Sequence, residues 1–310
     1  MKYENFNDFF SSLNIDNDNI ISKWEALSKR KRKISRITII IMLIVDALLL
    51  IYGFKFSIFI VTSIFIADIF IFIIMQIISG NKDIVKFNND YKKNVINNML
   101  KNFIEELDYI PLKGMPNTIY NEAHYGGYYN KYYSDDYFEG KIDGQKIIMA
   151  DLLVQEETTE KDEDGNKTTE TTIIFNGLFG KIELNKSINS NLNITRCRSF
   201  SLLDSKRLEM DYSEFEKFFN VYTNNNIIAM QLLTPDIQED ILELYNKYKV
   251  NFHIFITNNQ MYILFNTGNM FEVFSSKNTP TQVLEKYFDI MKFIYKLVDK
   301  LLITIDNTQI

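Results

Sequence analysis

An apolar stretch over residues 37–78 places the strongest constraint on what this chain can fold into. It is interrupted once, at residues 52–55, and so predicts two helices joined by a tight turn. Phe56–Ile78 has 23 residues, enough to cross a hydrocarbon core of about 30 Å, whereas Ile37–Tyr52 has 16 and spans about 24 Å. The pattern predicts a transmembrane helical hairpin.

A basic cluster directly precedes this stretch. Its members are Lys29, Arg30, Lys31, Arg32, Lys33 and Arg36. Cytoplasmic segments next to membrane spans are enriched in Lys and Arg, so the cluster predicts a cytoplasmic N-terminus. A hairpin returns the chain to the same side, which predicts a multi-pass cell-membrane protein with two spans and both termini cytoplasmic. The cluster is either a topology signal only or also faces anionic lipid.

Two acids, Asp46 and Asp68, interrupt the apolar stretch. An ionisable group at membrane depth is a functional hypothesis, because its burial in lipid is costly. The pair indicates a proton relay, an ion site or hydrogen bonds between helices, or else two protonated structural groups. Since two helices cannot enclose a conduction path, an oligomeric channel or transporter subunit is one alternative function.

The N-terminal segment, residues 1–36, repeats apolar residues at helical spacing in two short runs, around Phe9 and around Trp24. Each run predicts a short amphipathic helix. Its apolar face either lies on the bilayer surface, with Trp24 near the headgroups, or docks on the soluble domain as ordinary core. The sequence leaves both arrangements open.

After the apolar stretch, residues 79–108 predict one juxtamembrane helix that ends before Pro111, and residues 109–310 predict a cytoplasmic domain. Period-two patterns and turn residues, such as Asp143-Gly144, indicate antiparallel hairpins. Strands are expected over 137–142, 145–156, 169–184, 193–200, 221–232, 251–257, 260–266 and 270–275, with helices over 212–219, 234–248 and 279–303. The predicted class is α+β, a mainly antiparallel sheet packed with helices that include a long C-terminal one.

Charge and cysteine content exclude some classes of function. The formal net charge is -6, which gives no positive field for nucleic acid. The single cysteine, Cys197, excludes an intrachain disulfide and a cysteine metal cage, and reads as a buried structural residue. The acidic segment around Gly165 resembles a calcium loop, but Thr171 stands where the twelfth ligand should be Glu. We therefore expect no cofactor.

A weak catalytic constellation surrounds His124. Asp135 and Asp136 follow it closely, and an imidazole with carboxylates is what a metal site or an acid–base pair needs. It supports a rival function, a membrane-associated hydrolase or transferase. His253 lies in an alternating strand and is expected to be a packed residue.

Several short motifs, in order, resemble a known family. They are Asp135-Asp136-Tyr137-Phe138-Glu139-Gly140, Ile174-Phe175-Asn176-Gly177-Leu178-Phe179, Leu208-Glu209, Glu214 to Tyr222, and Leu232-Leu233-Thr234-Pro235. Over about Asn94 to Phe274 the chain resembles the bacterial domain-of-unknown-function family numbered 3137. The resemblance implies an N-terminal pair of transmembrane helices before a cytoplasmic domain. It implies no catalytic residue, because the family's activity is unknown.

The combined expectation is an uncharacterised integral membrane protein with a cytoplasmic binding or scaffolding domain at the inner membrane face. Its expected partners are the lipid bilayer and a protein partner or a second copy of the chain, with no nucleic acid. An enzyme is the less favoured reading.

Overall fold

The computed structural model describes residues 1–13, 17–52, 81–161, 167–196, 206–274 and 278–307, together with Ile66, Ile69, Phe70 and Phe72. The helices described are α1 (Phe6–Ser12), α2 (Asn17–Tyr52), α3 (Asn81–Tyr91), α4 (Asn97–Lys101), α5 (Asn117–Glu122), α6 (Ser213–Glu216), α7 (Asn226–Leu232), α8 (Pro235–Tyr248) and α9 (Pro280–Asn307), with a π-helical turn at Lys92–Ile96. The strands described are β1 (Glu105–Ile110), β2 (Lys131–Ile142), β3 (Gln145–Lys161), β4 (Lys167–Arg196), β5 (Lys206–Leu208), β6 (Phe219–Thr223) and β7 (Phe252–Phe265).

These strands form one antiparallel sheet in the order β1-β2-β3-β4-β6-β5, and β7 also pairs with β4. Local chemistry sets its first hairpins. Asp143 and Gly144 join β2 to β3 with φ of 46° and 75°, the pair of positive angles that a tight hairpin turn requires. The predicted α+β class and the mainly antiparallel sheet are confirmed.

The predicted transmembrane hairpin is wrong. In the described part of the chain, no helix combines the length and the apolar composition that a membrane crossing requires. The physical reason lies in α2: it begins at Asn17, carries the basic cluster in its middle, and its described apolar part, from Ile37 to Tyr52, is about 24 Å long against a core of about 30 Å. The predicted two-span cell-membrane location with cytoplasmic termini is corrected for the same reason.

The structure describes few residues of the second predicted span. Apart from Ile66, Ile69, Phe70 and Phe72, residues 53–80 lie outside the described residues, and with them most of the second predicted span and Asp68. Asp46 belongs to α2, but its side chain also lies outside the described residues.

The chain divides into two compact units, one formed by residues 1–13, 94–272 and 284–310 and the other by residues 14–93 and 273–283. In the first unit, α9 packs against β7 through Phe293, whose ring contacts Phe252 and Phe265. A second group of buried side chains packs around Tyr120, Phe175, Phe179, Tyr262 and Leu264. Successive residues of β7 thus pack into two different groups, so β7 is buried on both faces.

The second unit is built around α2 and α3. Arg30 Nη1 donates to Asp83 Oδ2 at 2.9 Å, and the Trp24 ring lies 6.4 Å from that of Phe274, centroid to centroid. Trp24 is buried, so of the two arrangements left open by the sequence, docking on protein is the one observed for its side chain.

Three predicted elements differ from those observed. The helix expected to reach residue 108 ends at Lys101. The next segment, Glu105–Ile110, forms β1 and pairs with β2. Exposed and half-buried residues alternate along most of β1, as in a strand. Residues 226–232 form α7, which the Asn225 side chain caps, rather than a strand. Residues 270–274 form no strand, since the Met270 N–H donates to a carboxylate of β3.

Candidate functional site

Three aspartates of the first unit converge in the middle of the sheet. Asp135 and Asp136 come from β2 and Asp151 from β3, and one carboxylate oxygen of each lies within 4.8 Å of the others. Asp135 is half-buried, whereas Asp136 and Asp151 have only 0% and 3% of their surface exposed. We call these three closely spaced and largely buried aspartates the acidic cluster.

A β-bulge in β2 brings the two sequence neighbours together. Asp135 pairs with Asp151 and Phe138 pairs with Met149, so β2 has one more residue than β3 between these two pairs. Asp136 has a φ of 52°, in the left-handed region. In a regular strand Asp135 and Asp136 would point to opposite faces, and the bulge instead directs both carboxylates into one cluster.

The loop after β1 holds this bulge in place. The Asp136 N–H donates to the Pro111 carbonyl at 2.9 Å, and the Tyr137 N–H donates to the Lys113 carbonyl at 3.1 Å. These two bonds satisfy backbone donors of the bulge, so its shape is fixed by a neighbouring segment and does not depend on the turn chemistry of β2 itself.

Neutral donors reach one oxygen of Asp136 and one of Asp151. The Tyr109 hydroxyl donates to Asp136 Oδ1 at 2.6 Å, and the Met270 N–H donates to Asp151 Oδ2 at 2.5 Å. The other oxygen of Asp151, Oδ1, is buried without a hydrogen-bond partner among the described residues. A buried acceptor without a donor costs roughly 1–3 kcal/mol, so this oxygen needs a ligand, a proton or water.

The electrostatics follow from burial. Burial, followed by the charge of Asp136, raises the pKa of Asp151 well above its usual range. Burial also raises the pKa of Tyr109, which therefore stays a hydrogen-bond donor. Lys286 of α9 has its pKa lowered by burial, an effect that the charge of Asp151 opposes. Lys286 is therefore a positive charge that already acts on the acidic cluster.

A surface pocket of about 300 Å³ opens beside the acidic cluster. Its lining residues are Tyr133, Ser134, Asp135, Asp151, Leu152, Leu153, Asn176 and Asn269. Two of the three acids line this pocket together with hydroxyl and amide groups, so a small ligand has a path from solvent to the carboxylates.

The structure separates His124 from the two acids predicted to act with it. His124 is exposed after α5, with a φ of 47°, and the cluster found among the described His, Cys, Asp and Glu side chains holds three aspartates and no histidine. Glu122, its acidic neighbour, instead accepts from Lys181 Nζ at 2.6 Å. Asp135 and Asp136 do come together, but with Asp151.

Sequence reasoning missed Asp151 and Tyr109. The available signal for Asp151 is a single acid inside the otherwise apolar run Ile147–Val154, a position where a charge is seldom buried without a partner. Tyr109 could not be selected from the sequence, because the pairing that sets β1 beside β2 joins segments that are distant in the chain.

The remaining predicted site residues lie elsewhere. The six members of the basic cluster are exposed on α2, where Lys29 pairs with Glu25 at 3.2 Å. Cys197 lies outside the described residues, while its neighbour Arg196 donates to Asn251 Oδ1 at 3.0 Å. His253 is buried on β7, as expected of a packed residue.

Comparison with known proteins identifies a family without an assigned function. No curated protein matches the chain. The crystal structure of the mycobacterial trehalose monomycolate transport factor A, TtfA, is similar at 10% sequence identity and a TM-score of 0.37, over 63% of this chain and 88% of that one. Residues 173–302 match the family described as "Protein of unknown function (DUF3137)", which confirms the resemblance drawn from the sequence motifs. The likeness to this family therefore covers residues 173–302, less than half of the chain.

Proposed function

We propose that this protein is a binding or scaffolding module whose ligand site is the acidic cluster with its pocket, and that the ligand carries a positive charge. The observation that carries the proposal is Asp151, which is 3% exposed and has an oxygen without a hydrogen-bond partner in the described part of the chain, beside two further carboxylates. Nothing in the proposal requires a chemical reaction.

Electrostatic cost favours a cationic ligand. Asp135 and Asp151 are directly opposite each other in the β2–β3 ladder, and like charges in that position destabilise a sheet. Removing carboxylates from water adds a further cost, which the charge of Lys286 opposes at Asp151. A bound cation lowers the remaining cost, so the protein is expected to gain stability on binding it.

The side chains around Asp135 and Asp136 favour binding over acid–base catalysis. Asp135 and Asp136 meet a third acid, and the exposed His124 lies outside the acidic cluster. The three carboxylates share one chemistry, which suits holding a positive charge better than moving a proton between unlike groups.

Thermal unfolding and calorimetric titration of the full chain test this proposal. The probes are calcium chloride and an arginine-rich peptide, and at least one of them should raise the melting temperature and bind in a saturable way. Asp135→Asn should abolish this effect, because it removes a pocket carboxylate with little change of shape.

Two control variants make the result specific. Asp108→Asn removes the same charge from an exposed position on β1, and His124→Asn removes the histidine of the rival function while keeping a residue that tolerates positive φ. Both should bind as the unaltered chain does. If neither probe binds, or if Asp135→Asn binds as well as its controls, the proposal fails.

A further inference from the structure

We infer that the ligand of the acidic cluster is a divalent metal ion of calcium's size, coordinated by Asp135, Asp136 and Asp151. This inference rests on the proposed function and specifies its ligand. It differs from the calcium-loop motif around Gly165, whose spacing fails and whose residues lie in another part of the sequence.

The separation of the three oxygens suits a metal ion. Calcium binds oxygen at about 2.3–2.6 Å, so one ion reaches across roughly 5 Å between opposite ligands. The carboxylate oxygens of the acidic cluster lie within 4.8 Å of one another, inside that reach. Magnesium demands near-ideal octahedral geometry and releases its water reluctantly, which fits a buried site less well.

Burial distinguishes a metal ion from an organic cation. Asp136 is fully buried and Asp151 almost so, and the Tyr109 hydroxyl covers one oxygen of Asp136. A guanidinium or ammonium group on a side chain would need an opening wide enough to bring its own donors to both residues. A bare ion needs no such opening once it has passed Asp135 at the pocket.

The donor set selects the type of metal. The acidic cluster offers carboxylate oxygens, and no described histidine or cysteine belongs to it. Oxygen donors favour calcium, magnesium and manganese over zinc and copper, which prefer nitrogen and sulfur. Ser134, Asn176 and Asn269 line the same pocket, and water can complete the coordination.

An unpartnered oxygen provides an observation beyond the gathering of acids. Asp151 lines the pocket, its Oδ2 already accepts the Met270 N–H, and its Oδ1 has no donor among the described residues although it is buried. Buried oxygens in this condition are rare and usually have an ion, a water molecule or a functional role. Coordination of a cation satisfies this oxygen.

Calorimetric titration of the full chain with calcium chloride and with magnesium chloride tests the inference. We expect one calcium ion per chain, bound at least about tenfold more tightly than magnesium, with a Kd between about 10⁻⁵ and 10⁻³ M. Asp151→Asn and Asp135→Asn should each weaken calcium binding at least tenfold, and Asp108→Asn should leave it unchanged.

A second readout separates a metal ligand from a merely structural residue. Without calcium, Asp151→Asn should melt at nearly the same temperature as the unaltered chain, because Asn can still accept from Met270, and the lost attraction to Lys286 opposes the relief of repulsion among the acids. The rise in melting temperature with calcium should be lost. If Asp151→Asn does not fold, terbium luminescence excited through tyrosine, compared between the unaltered chain and Asp135→Asn, replaces it, and binding should again be lost in the variant.

The failures of the two proposals are distinguishable. Binding of the arginine-rich peptide without any binding of calcium overturns the metal site and leaves the cationic binding module standing. Binding of neither probe overturns both. Calcium binding that survives in Asp135→Asn and in Asp151→Asn, or magnesium binding as tight as that of calcium, overturns the inference stated here.

Discussion

Among single residues, His253 shows how burial changes the pKa of a base. It is 5% exposed on β7, neither ring nitrogen has a hydrogen-bond partner among the described residues, and its ring packs edge-on against Tyr125 at a centroid distance of 5.1 Å. Burial lowers the pKa of His253 to about 4. The folded protein therefore holds this imidazole neutral.

Stability should fall with acid because of this histidine. An unfolded histidine titrates near 6.5, so between about pH 6.5 and pH 4 the unfolded state takes up a proton that the folded state does not. The contribution is fully present above pH 6.5 and declines by about 3 kcal/mol as the pH reaches 4, below which both states are protonated. Chemical denaturation at several pH values should show this loss in the unaltered chain and not in His253→Phe.

The other histidine of the chain supplies the matched control. His124 is exposed, so His124→Asn should keep the pH dependence of the unaltered chain. A His253→Phe variant whose stability declines between pH 6.5 and 4 as steeply as that of His124→Asn would contradict the prediction. Carboxylates titrate in the same range, and comparing the two variants cancels their contribution.

At the scale of elements, the closure of β4 against the turn after β7 depends on one glycine. A Cβ at Gly177 would lie 2.0 Å from the Phe265 carbonyl oxygen and 2.5 Å from the Thr267 nitrogen, and the φ of Gly177 is 150°. The Gly268 N–H donates to the Asn176 carbonyl at 3.1 Å in the same place. This contact fixes the turn that presents the Met270 N–H to Asp151.

Gly177→Ala should therefore destabilise the fold by about 2–4 kcal/mol, since backbone atoms must move and the backbone angle is strained. Urea unfolding measures the effect. Gly127→Ala is the control, because a Cβ there would meet no atom of the described residues within 4 Å. Equal stability of the two variants would show that the close approach is not rigid.

At the scale of the whole molecule, the first 13 residues belong to the folded body of the first unit. Phe9 is 2% exposed and stacks on Phe288 of α9 at 5.3 Å, centroid to centroid. The Tyr3 N–H donates to the buried Asn102 side chain at 2.7 Å, which in turn donates to the Tyr3 carbonyl at 3.0 Å. The alternative in which α1 docks on protein is the one observed.

Phe9→Ala should lower the free energy of unfolding by about 3–4 kcal/mol, because it leaves a cavity between α1 and α9. Phe10→Ala, one position along the same helix and only half-buried, should cost less than half as much. Denaturant titration of both variants checks the difference. An N-terminal helix that does not dock would make both substitutions nearly neutral.

Several parts of the fold follow from local chemistry that can be recognised along the chain. The Asp143-Gly144 turn and the alternation on either side of it specified the β2–β3 hairpin, and Thr234-Pro235 placed the start of α8. Asn258 and Asn259 correctly indicated a turn inside β7, whose ends meet through the Asn266 N–H and the Asn251 carbonyl. Each signal acts between residues adjacent in the chain.

The fate of the apolar stretch and the assembly of the acidic cluster depend on contacts between segments that are distant in the chain. The apolar stretch predicted a membrane hairpin because hydropathy alone does not show how a segment joins its neighbours, and α2 carries the basic cluster within the same helix. The acidic cluster needed a bulge held by the loop after β1 and a register that sets Asp151 opposite Asp135. No pattern in β2 alone encodes that register, since strand pairing is fixed by burial across the whole sheet.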